Sequence, residues 1–210
     1  MHHTAYKCGE LFANLYGGIN KVVVDIGGLN VNGSLRVFFE NLGMKYICVD
    51  MEPNNSVDIV VKPGDKLPFD NGSIDLIIST SCFEHDPCFW ITFKEMTRIT
   101  KLGGFIYINA PTHGPYHCYP GDNWRFYSDA GQALSYWSSF QFSNEPFFPV
   151  KVVETFHILP KYDVWCDFIC VWERVDEKQI DIVVSKSISQ NIGILEKNLN
   201  DFNYITKKKC

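Results

Sequence analysis

Two acidic residues and a pair of glycines follow consecutive apolar segments in the first quarter of the 210-residue chain. Asp25 ends the first apolar run and is followed after one residue by Gly27 and Gly28, and Asp50 ends the next run, 46–49. A glycine turn lets ligand atoms approach the backbone, and an acid at the end of the second strand can accept hydrogen bonds from both ribose hydroxyls. The spacing predicts a site for a nucleoside-containing ligand.

The position of Asp25 distinguishes two kinds of nucleoside ligand. A dinucleotide is the first alternative, but the pattern G-x-G-x-x-G is absent, and a carboxylate just before Gly27 would repel a pyrophosphate. S-adenosylmethionine has no phosphate and carries an ammonium and a sulfonium group, for which a carboxylate is a suitable counter-charge. We therefore expect S-adenosylmethionine as the cofactor and S-adenosylhomocysteine as its product.

Three of the six histidines lie in two later segments, 81–86 and 111–127. Transfer of a methyl group to a hydroxyl requires removal of the hydroxyl proton, and imidazole, which titrates near neutral pH, can accept it. A carboxylate beside the imidazole would orient it. The predicted catalytic residues are His117 as the base, His85 and His113 as alternatives, and Asp122 or Glu84 as the orienting carboxylate.

The same segments offer an alternative to a free imidazole base. Carboxylates and imidazoles can also bind a divalent cation. The side chains available for this are Glu84, His85, Asp86, His117 and Asp122. Their spacing matches no compact metal-binding motif, so a divalent metal is considered but not predicted.

Segment 111–127 is also rich in aromatic residues. An aromatic ring can stack on the C–H face of a sugar while polar groups bond its hydroxyls, and an arginine adds a forked donor. The acceptor-binding residues predicted on this basis are Tyr116, Tyr119, Trp124, Arg125 and Tyr127. We therefore expect a small-molecule or glycan acceptor.

Positioning these side chains requires a scaffold of alternating strands and helices. Short β-branched runs alternate with helical patterns from residue 4 to residue 109, which is typical of βαβ units and a mostly parallel sheet. An irregular run is expected over 110–127. Two further β-rich segments, 150–159 and 165–174, are close enough along the chain to form an antiparallel hairpin. The pattern predicts an α/β domain over residues 1–175.

The remaining residues, 176–210, form a predicted extension. Their apolar residues follow a helical spacing at Ile188, Ile192, Leu195, Leu199 and Phe202. Such a helix either docks on its own domain or pairs two subunits, so a homodimer is one possible assembly.

Composition excludes some classes of partner. A formal net charge of −5 provides no basic field for nucleic acid, and no run reaches the roughly 20 apolar residues of a membrane span. The start of the chain lacks a basic flank followed by an apolar run, so a cytoplasmic location is expected. The eight cysteines include no Cys-x-x-Cys pair and are interpreted as reduced core thiols.

Four motifs in this order resemble those of the class I methyltransferases of the type 11 group. They are Asp-Ile-Gly-Gly at 25–28, Val-Asp at 49–50, Leu-Pro-Phe-Asp-Asn-Gly-Ser-Ile-Asp-Leu-Ile at 67–77 and Lys-Leu-Gly-Gly-Phe at 101–105. The resemblance implies a Rossmann-like, seven-stranded, mostly parallel sheet with a C-terminal antiparallel hairpin and helices on both faces. It also implies that Asp25 lies at the methionine end of the cofactor, Asp50 at the ribose, and residues 79–83 beside the adenosyl group.

The resemblance extends to a set of cofactor-binding residues, with two departures. The set is Asp25, Gly27, Gly28, Asn30, Asp50, Met51, Asp65, Lys66, Leu67, Ser81, Cys82 and Phe83. Asn30 replaces the usual third glycine of the turn. Pro63 stands where an acid often contacts the adenine amino group, and Asp65 is an acid two residues further on.

Residues 109–111 and 124–127, together with Trp165, Asp167 and Phe168, are similar to a subset of these enzymes found in bacterial and large-virus glycan gene clusters. The resulting expectation is an S-adenosylmethionine-dependent O-methyltransferase acting on a sugar hydroxyl, such as that of the deoxyhexose rhamnose. Two alternatives stay open. One is methylation of another small acceptor, such as a phenol, a quinone or a carboxylate, and the other is a non-catalytic cofactor-binding module.

Overall fold

The computed structural model describes residues 3–118, 120–139, 148–160 and 164–176, together with the strand at 202–205. Four helices and eight strands lie in these ranges. The helices are α1 (His3–Tyr16), α2 (Arg36–Asn41), α3 (Phe89–Ile99) and α4 (Ala130–Ser139). The strands are β1 (Val22–Ile26), β2 (Lys45–Asp50), β3 (Ile59–Val60), β4 (Ile74–Thr80), β5 (Thr100–His113), β6 (Val150–Pro160), β7 (Cys166–Arg174) and β8 (Phe202–Ile205).

All eight strands belong to one sheet in the order β3-β2-β1-β4-β5-β7-β6-β8. Strands β1 to β5 are parallel to one another, and β7 is antiparallel to both β5 and β6. The predicted seven-stranded, mostly parallel sheet with an antiparallel hairpin is therefore confirmed. The eighth strand, β8, adds four residues antiparallel to β6 at one edge.

Helices cover both faces of the sheet, as expected. On one face Phe12 of α1 and Phe39 of α2 pack on the sheet in a core that includes Tyr107. On the other face Phe93 of α3 and Leu134 of α4 share a core with β7. Alternate residues of each buried strand serve opposite cores, which is why the central strands are almost continuously apolar.

Two sequence predictions need correction. The irregular run expected from residue 110 begins later, because β5 continues to His113 by pairing with β7, where Pro111 is opposite Asp167. Phe202, expected at the end of a C-terminal helix, lies in strand β8. The other residues of that helix pattern, 188–199, lie outside the described residues. The subunit pairing proposed for this helix therefore stays a prediction.

The cysteine prediction holds for most of the described positions. All seven cysteines in the described ranges are free, and Cys8, Cys48, Cys166 and Cys170 are buried. Cys118 is exposed, because it lies in the loop after β5 rather than in the core. Within the described residues no helix combines the length and apolarity that a membrane crossing requires.

Candidate active site

A cavity of about 700 Å³ opens at the carboxyl ends of β1, β2, β4 and β5. It lies where the strand order reverses, with β1 between β2 and β4. Open α/β sheets bind their ligands at this position, and the volume is within the range of small-molecule sites.

The turn after β1 forms one wall of the cavity. The amide groups of Gly27 and Gly28 both donate to the carbonyl oxygen of Val49, at 2.8 and 3.3 Å, which ties the turn to the end of β2. Gly27 has φ +72°, and a Cβ there would collide with Cys82. A Cβ on Gly28 would lie 2.8 Å from Cγ of Asp25. The turn therefore packs too closely for side chains at either position.

Asp25 lies beneath this turn and is only 5% exposed. Burial raises the pKa of its carboxyl to about 7, although the Tyr46 hydroxyl donates a hydrogen bond to Oδ2 and so favours the charged form. Asp50 raises the pKa further and Arg36 lowers it. A cationic ligand group beside Asp25 would favour its ionised state.

Asp50 ends β2 at the opposite side of the turn. Its Oδ2 accepts from the amide of Leu29 at 3.0 Å and its Oδ1 from the amide of Glu52 at 3.1 Å. These bonds fix the orientation of the carboxylate. A carboxylate offers about four acceptor positions, so Asp50 retains capacity for the two hydroxyls of a ribose.

The structure brings most of the expected cofactor residues to the cavity. Those that line it are Asp25, Gly27, Gly28, Asp50, Met51, Asp65, Leu67, Ser81 and Cys82. Three others do not line it. Asn30 accepts a hydrogen bond from the amide of Gly33 and so closes a local turn, Lys66 is exposed, and Phe83 is fully buried in the core with Phe126.

Glu84, His85 and His117 form the other end of the cavity. One possible ligand atom from each lies within 4.8 Å of the other two. Nε2 of His85 is 3.7 Å from Oε1 of Glu84, and the two imidazole rings meet edge to face with centroids 4.8 Å apart. Burial raises the pKa of the Glu84 carboxyl to about 8, and nearby Asp167 contributes to that rise.

Each imidazole has a polar neighbour beside its Nδ1. Nδ1 of His85 contacts the carbonyl oxygen of Gly121, which can only accept, so this nitrogen carries the proton. Nδ1 of His117 lies 3.2 Å from Oδ2 of Asp122, although the pair is not aligned for a hydrogen bond. The backbone amide of His117 donates to the same oxygen at 2.9 Å.

Asp122 is in turn held by Arg125. The guanidinium contacts both carboxylate oxygens, with Nη2 at 2.6 Å from Oδ2, and holds the pKa of Asp122 well below its usual range. Arg125 also donates to the carbonyl oxygen of Pro115. The Asp122–Arg125 pair therefore organises the loop that carries His117.

Several of the residues predicted for the acceptor side lie elsewhere. His113, Tyr116 and Tyr127 are exposed and do not line the cavity. Trp124 packs against Phe89 and donates to the carbonyl oxygen of Asp86 at 2.8 Å. Arg125 bonds within its own loop, as described above, and Tyr119 lies outside the described residues.

The structure adds residues that the sequence analysis did not assign to the site. Trp165 and Asp167, at the start of β7, line the cavity, and the ring of Trp165 meets that of His117 at 4.8 Å. Tyr46 supports Asp25 from the neighbouring strand. Tyr46 lies opposite Val23, which shares a face of β1 with Asp25, and this relation depends on a strand register that the sequence does not give.

Comparison with known proteins agrees with this arrangement. Residues 24–108 match the family described as a methyltransferase domain. An uncharacterized methyltransferase of Mycobacterium leprae is 26% identical over 119 residues, which are 50% of this chain and 44% of that protein. The chain thus matches less than half the length of this curated relative.

Solved structures share the fold at low sequence identity. A Burkholderia thailandensis 1,6-didemethyltoxoflavin-N1-methyltransferase, solved with 1,6-didemethyltoxoflavin and S-adenosylhomocysteine, superposes with a TM-score of 0.58 at 15% identity, covering 82% of this chain and 79% of the other. The [4+2]-cyclase SpnF superposes with a TM-score of 0.58 at 11% identity, covering 81% and 80%. The fold is therefore that of the class I methyltransferases, and S-adenosylmethionine is the cofactor of such a domain.

Proposed function

We propose that this chain transfers the methyl group of S-adenosylmethionine to a hydroxyl of a small neutral acceptor such as a sugar. The observation that carries the proposal is a single cavity that joins the Asp25–Asp50 end to the Glu84–His85–His117 end. One end is suited to the cofactor and the other to the chemistry of the acceptor.

The charge of the cavity supports a cationic cofactor. Among the residues that the structure describes, Lys62 is the single lysine or arginine that lines the cavity. The carboxylates that line it are Asp25, Asp50, Glu52, Asp65, Glu84, Asp86 and Asp167. This lining suits an ammonium and a sulfonium group and disfavours the pyrophosphate of a dinucleotide.

The acidic residues of the cavity also favour some classes of acceptor over others. A carboxylate acceptor would lose its hydration beside Glu84 and Asp167, both 2% exposed, and Lys62 is the single lysine or arginine among the described lining residues that could pair with it. A neutral hydroxyl has a smaller desolvation cost. The cavity therefore favours a neutral polyol over a carboxylate.

The aromatic surface for a sugar is provided by Trp165 in this proposal. Its ring lines the cavity beside His117, whereas the exposed Tyr116 and Tyr127 do not line it. Stacking of the sugar on Trp165 would bring a ring hydroxyl next to the imidazoles. The sequence resemblance suggests a specific acceptor of this class, a deoxyhexose such as rhamnose.

Proton removal is assigned to His117. The hydroxyl oxygen attacks the methyl carbon, the carbon–sulfur bond breaks, and its electron pair stays on sulfur to give S-adenosylhomocysteine. The imidazole of His117 takes the proton, and Asp122 beside its Nδ1 would orient the ring and stabilise the positive charge. His85 is the second imidazole within reach of the same space.

A methyl-transfer screen over free and linked sugars tests the proposal. With a sugar that accepts the methyl group, we expect His117→Asn to lower turnover by on the order of 10²-fold while the Kd of S-adenosylmethionine stays nearly constant. His113→Asn is the matched control, because His113 is exposed and outside the cavity. Equal turnover in the two variants would remove His117 from the reaction.

The result of the screen also decides between the proposal and its rivals. Transfer to phenols alone would keep the assignment as a methyltransferase but overturn the assignment of a sugar as the acceptor. Cofactor binding without transfer to any hydroxyl acceptor would favour the non-catalytic module.

A further inference from the structure

We propose that Glu84, His85 and His117 bind a divalent transition-metal cation at the acceptor end of the cavity. The three side chains come from two separate segments, one after β4 and one after β5. One ligand atom of each lies within 4.8 Å of the other two. Tetrahedral metal–ligand bonds of about 2.0–2.2 Å place ligand atoms about 3.3–3.6 Å apart, so side-chain rotations that shorten the present separations would complete the site.

The donor set indicates the class of cation. Two imidazoles and one carboxylate form the protein ligands of many catalytic zinc sites and of non-haem iron sites, and they leave coordination positions open for other ligands. Calcium and magnesium prefer oxygen donors throughout. The three side chains therefore favour zinc or a similar transition metal.

Glu84 provides an independent observation. Its side chain is 2% exposed, and its Oε2 is buried with no hydrogen-bond partner among the described residues. A buried oxygen left without a partner loses the hydrogen bonds that it makes in water. A cation at this position would restore a favourable partner to that oxygen.

The outer contacts of the two histidines point the same way. Metal-binding histidines usually direct their second ring nitrogen to a carboxylate or a backbone carbonyl. Nδ1 of His85 contacts the Gly121 carbonyl oxygen, and Nδ1 of His117 lies 3.2 Å from Asp122. Nε2 of His85 is thereby left for the cation, 3.7 Å from Oε1 of Glu84.

A bound cation would change how the acceptor loses its proton. The metal site does not depend on the proposed function, and only the following step of the reaction rests on it. An acceptor hydroxyl on an open coordination position becomes more acidic and releases its proton to water, and its oxygen then attacks the methyl carbon as before. His117 then holds the cation instead of taking the proton.

Titration calorimetry with Zn²⁺ on the full chain, after treatment with a chelator, tests the site without cofactor or acceptor. We expect one Zn²⁺ per chain, and affinity weakened at least 10-fold in Glu84→Gln, His85→Asn and His117→Asn. His113→Asn should bind as the unaltered chain does, because it removes an exposed imidazole outside the cavity.

Folding of each variant is checked by its affinity for S-adenosylhomocysteine, which should stay unchanged. Absence of Zn²⁺ binding by the unaltered chain, or equal binding by the His113 and His117 variants, would overturn the site. Zn²⁺ binding without methyl transfer would keep the site and overturn the proposed function. Methyl transfer by a chain that binds no Zn²⁺ would overturn the metal site and keep the proposed function.

Discussion

Among single residues, the proposed place of Asp25 at the methionine end of the cofactor would link the ionisation state of the site to cofactor binding. Its carboxyl is buried, and its pKa is raised to about 7. The groups that act on it come from two other elements: the Tyr46 hydroxyl and Asp50 belong to β2, and Arg36 belongs to α2. A ligand ammonium would favour the carboxylate, so binding and proton release are coupled.

This coupling predicts the pH dependence of cofactor affinity. Below about pH 7 the carboxyl is protonated and must lose its proton when the cation binds, so affinity should rise with pH, by up to about tenfold per pH unit below the pKa. Calorimetry with S-adenosylmethionine at pH 6, 7 and 8 measures this. Asp25→Asn is the control, because its affinity should keep only the pH dependence that comes from titration of the ligand itself. Identical pH profiles for the two proteins would contradict the role of Asp25.

Tyr46 offers a second prediction for a single residue. Tyr46→Phe removes the hydroxyl that donates to Asp25, and a hydrogen bond to a charged group contributes about 1.5–3 kcal/mol, so the Kd of S-adenosylmethionine should rise at least tenfold. Tyr107→Phe is the matched control, because the buried Tyr107 hydroxyl has no hydrogen-bond partner among the described residues. Equal Kd values for both variants would show that Tyr46 does not support the carboxylate.

The sequence predicted the residues that belong to local motifs better than those supplied by distant strands. Asp25 and Asp50 could be placed because each ends an apolar run of the sequence. Tyr46 and Asp167 could not, since their positions depend on strand register and on the insertion of β7 beside β5. The aromatic residues of 111–127 were assigned by type, yet Trp124 packs on Phe89 instead.

Among the elements, the turn between β1 and α2 forms a wall of the cavity proposed for the cofactor. Gly27 and Gly103 have similar left-handed φ values, +72° and +74°. An added Cβ would collide with Cys82 at Gly27 but meets nothing within 4 Å at Gly103. A substitution at either position strains the backbone, but only a substitution at Gly27 also crowds the cavity.

Alanine at these positions gives the corresponding prediction. Gly103→Ala should lose about 1–2 kcal/mol of unfolding free energy, because it places a Cβ in the left-handed region. Gly27→Ala should lose more, because its Cβ also collides with Cys82. Gly27→Ala alone should weaken S-adenosylmethionine binding, by at least tenfold. Denaturant unfolding and calorimetry measure the two effects, and equal cofactor affinity in both variants would refute the close packing of the turn.

The length of β5 shows what sequence periodicity missed. The strand was expected to end at Asn109, with an irregular run from residue 110. Pairing with the antiparallel β7 instead extends it to His113. This extension places His113 outside the cavity, while His117 in the following loop lines it.

At the scale of the whole molecule, the alternation of strands and helices predicted the fold class, and the family resemblance supplied the number of strands. The sequence alone does not set the order in which distant strands pair. Nor does the fold determine the reaction, because a [4+2]-cyclase shares it. The assignment of methyl transfer therefore depends on the cavity and its side chains.

Calorimetry of the full chain with S-adenosylmethionine, S-adenosylhomocysteine and NAD measures whether the cavity binds the proposed cofactor. We expect one molecule of either sulfur ligand to bind per chain, with an affinity that Asp50→Asn weakens at least tenfold, and no measurable binding of NAD. Binding of NAD in preference to both sulfur ligands, or no binding of either sulfur ligand, would contradict this expectation.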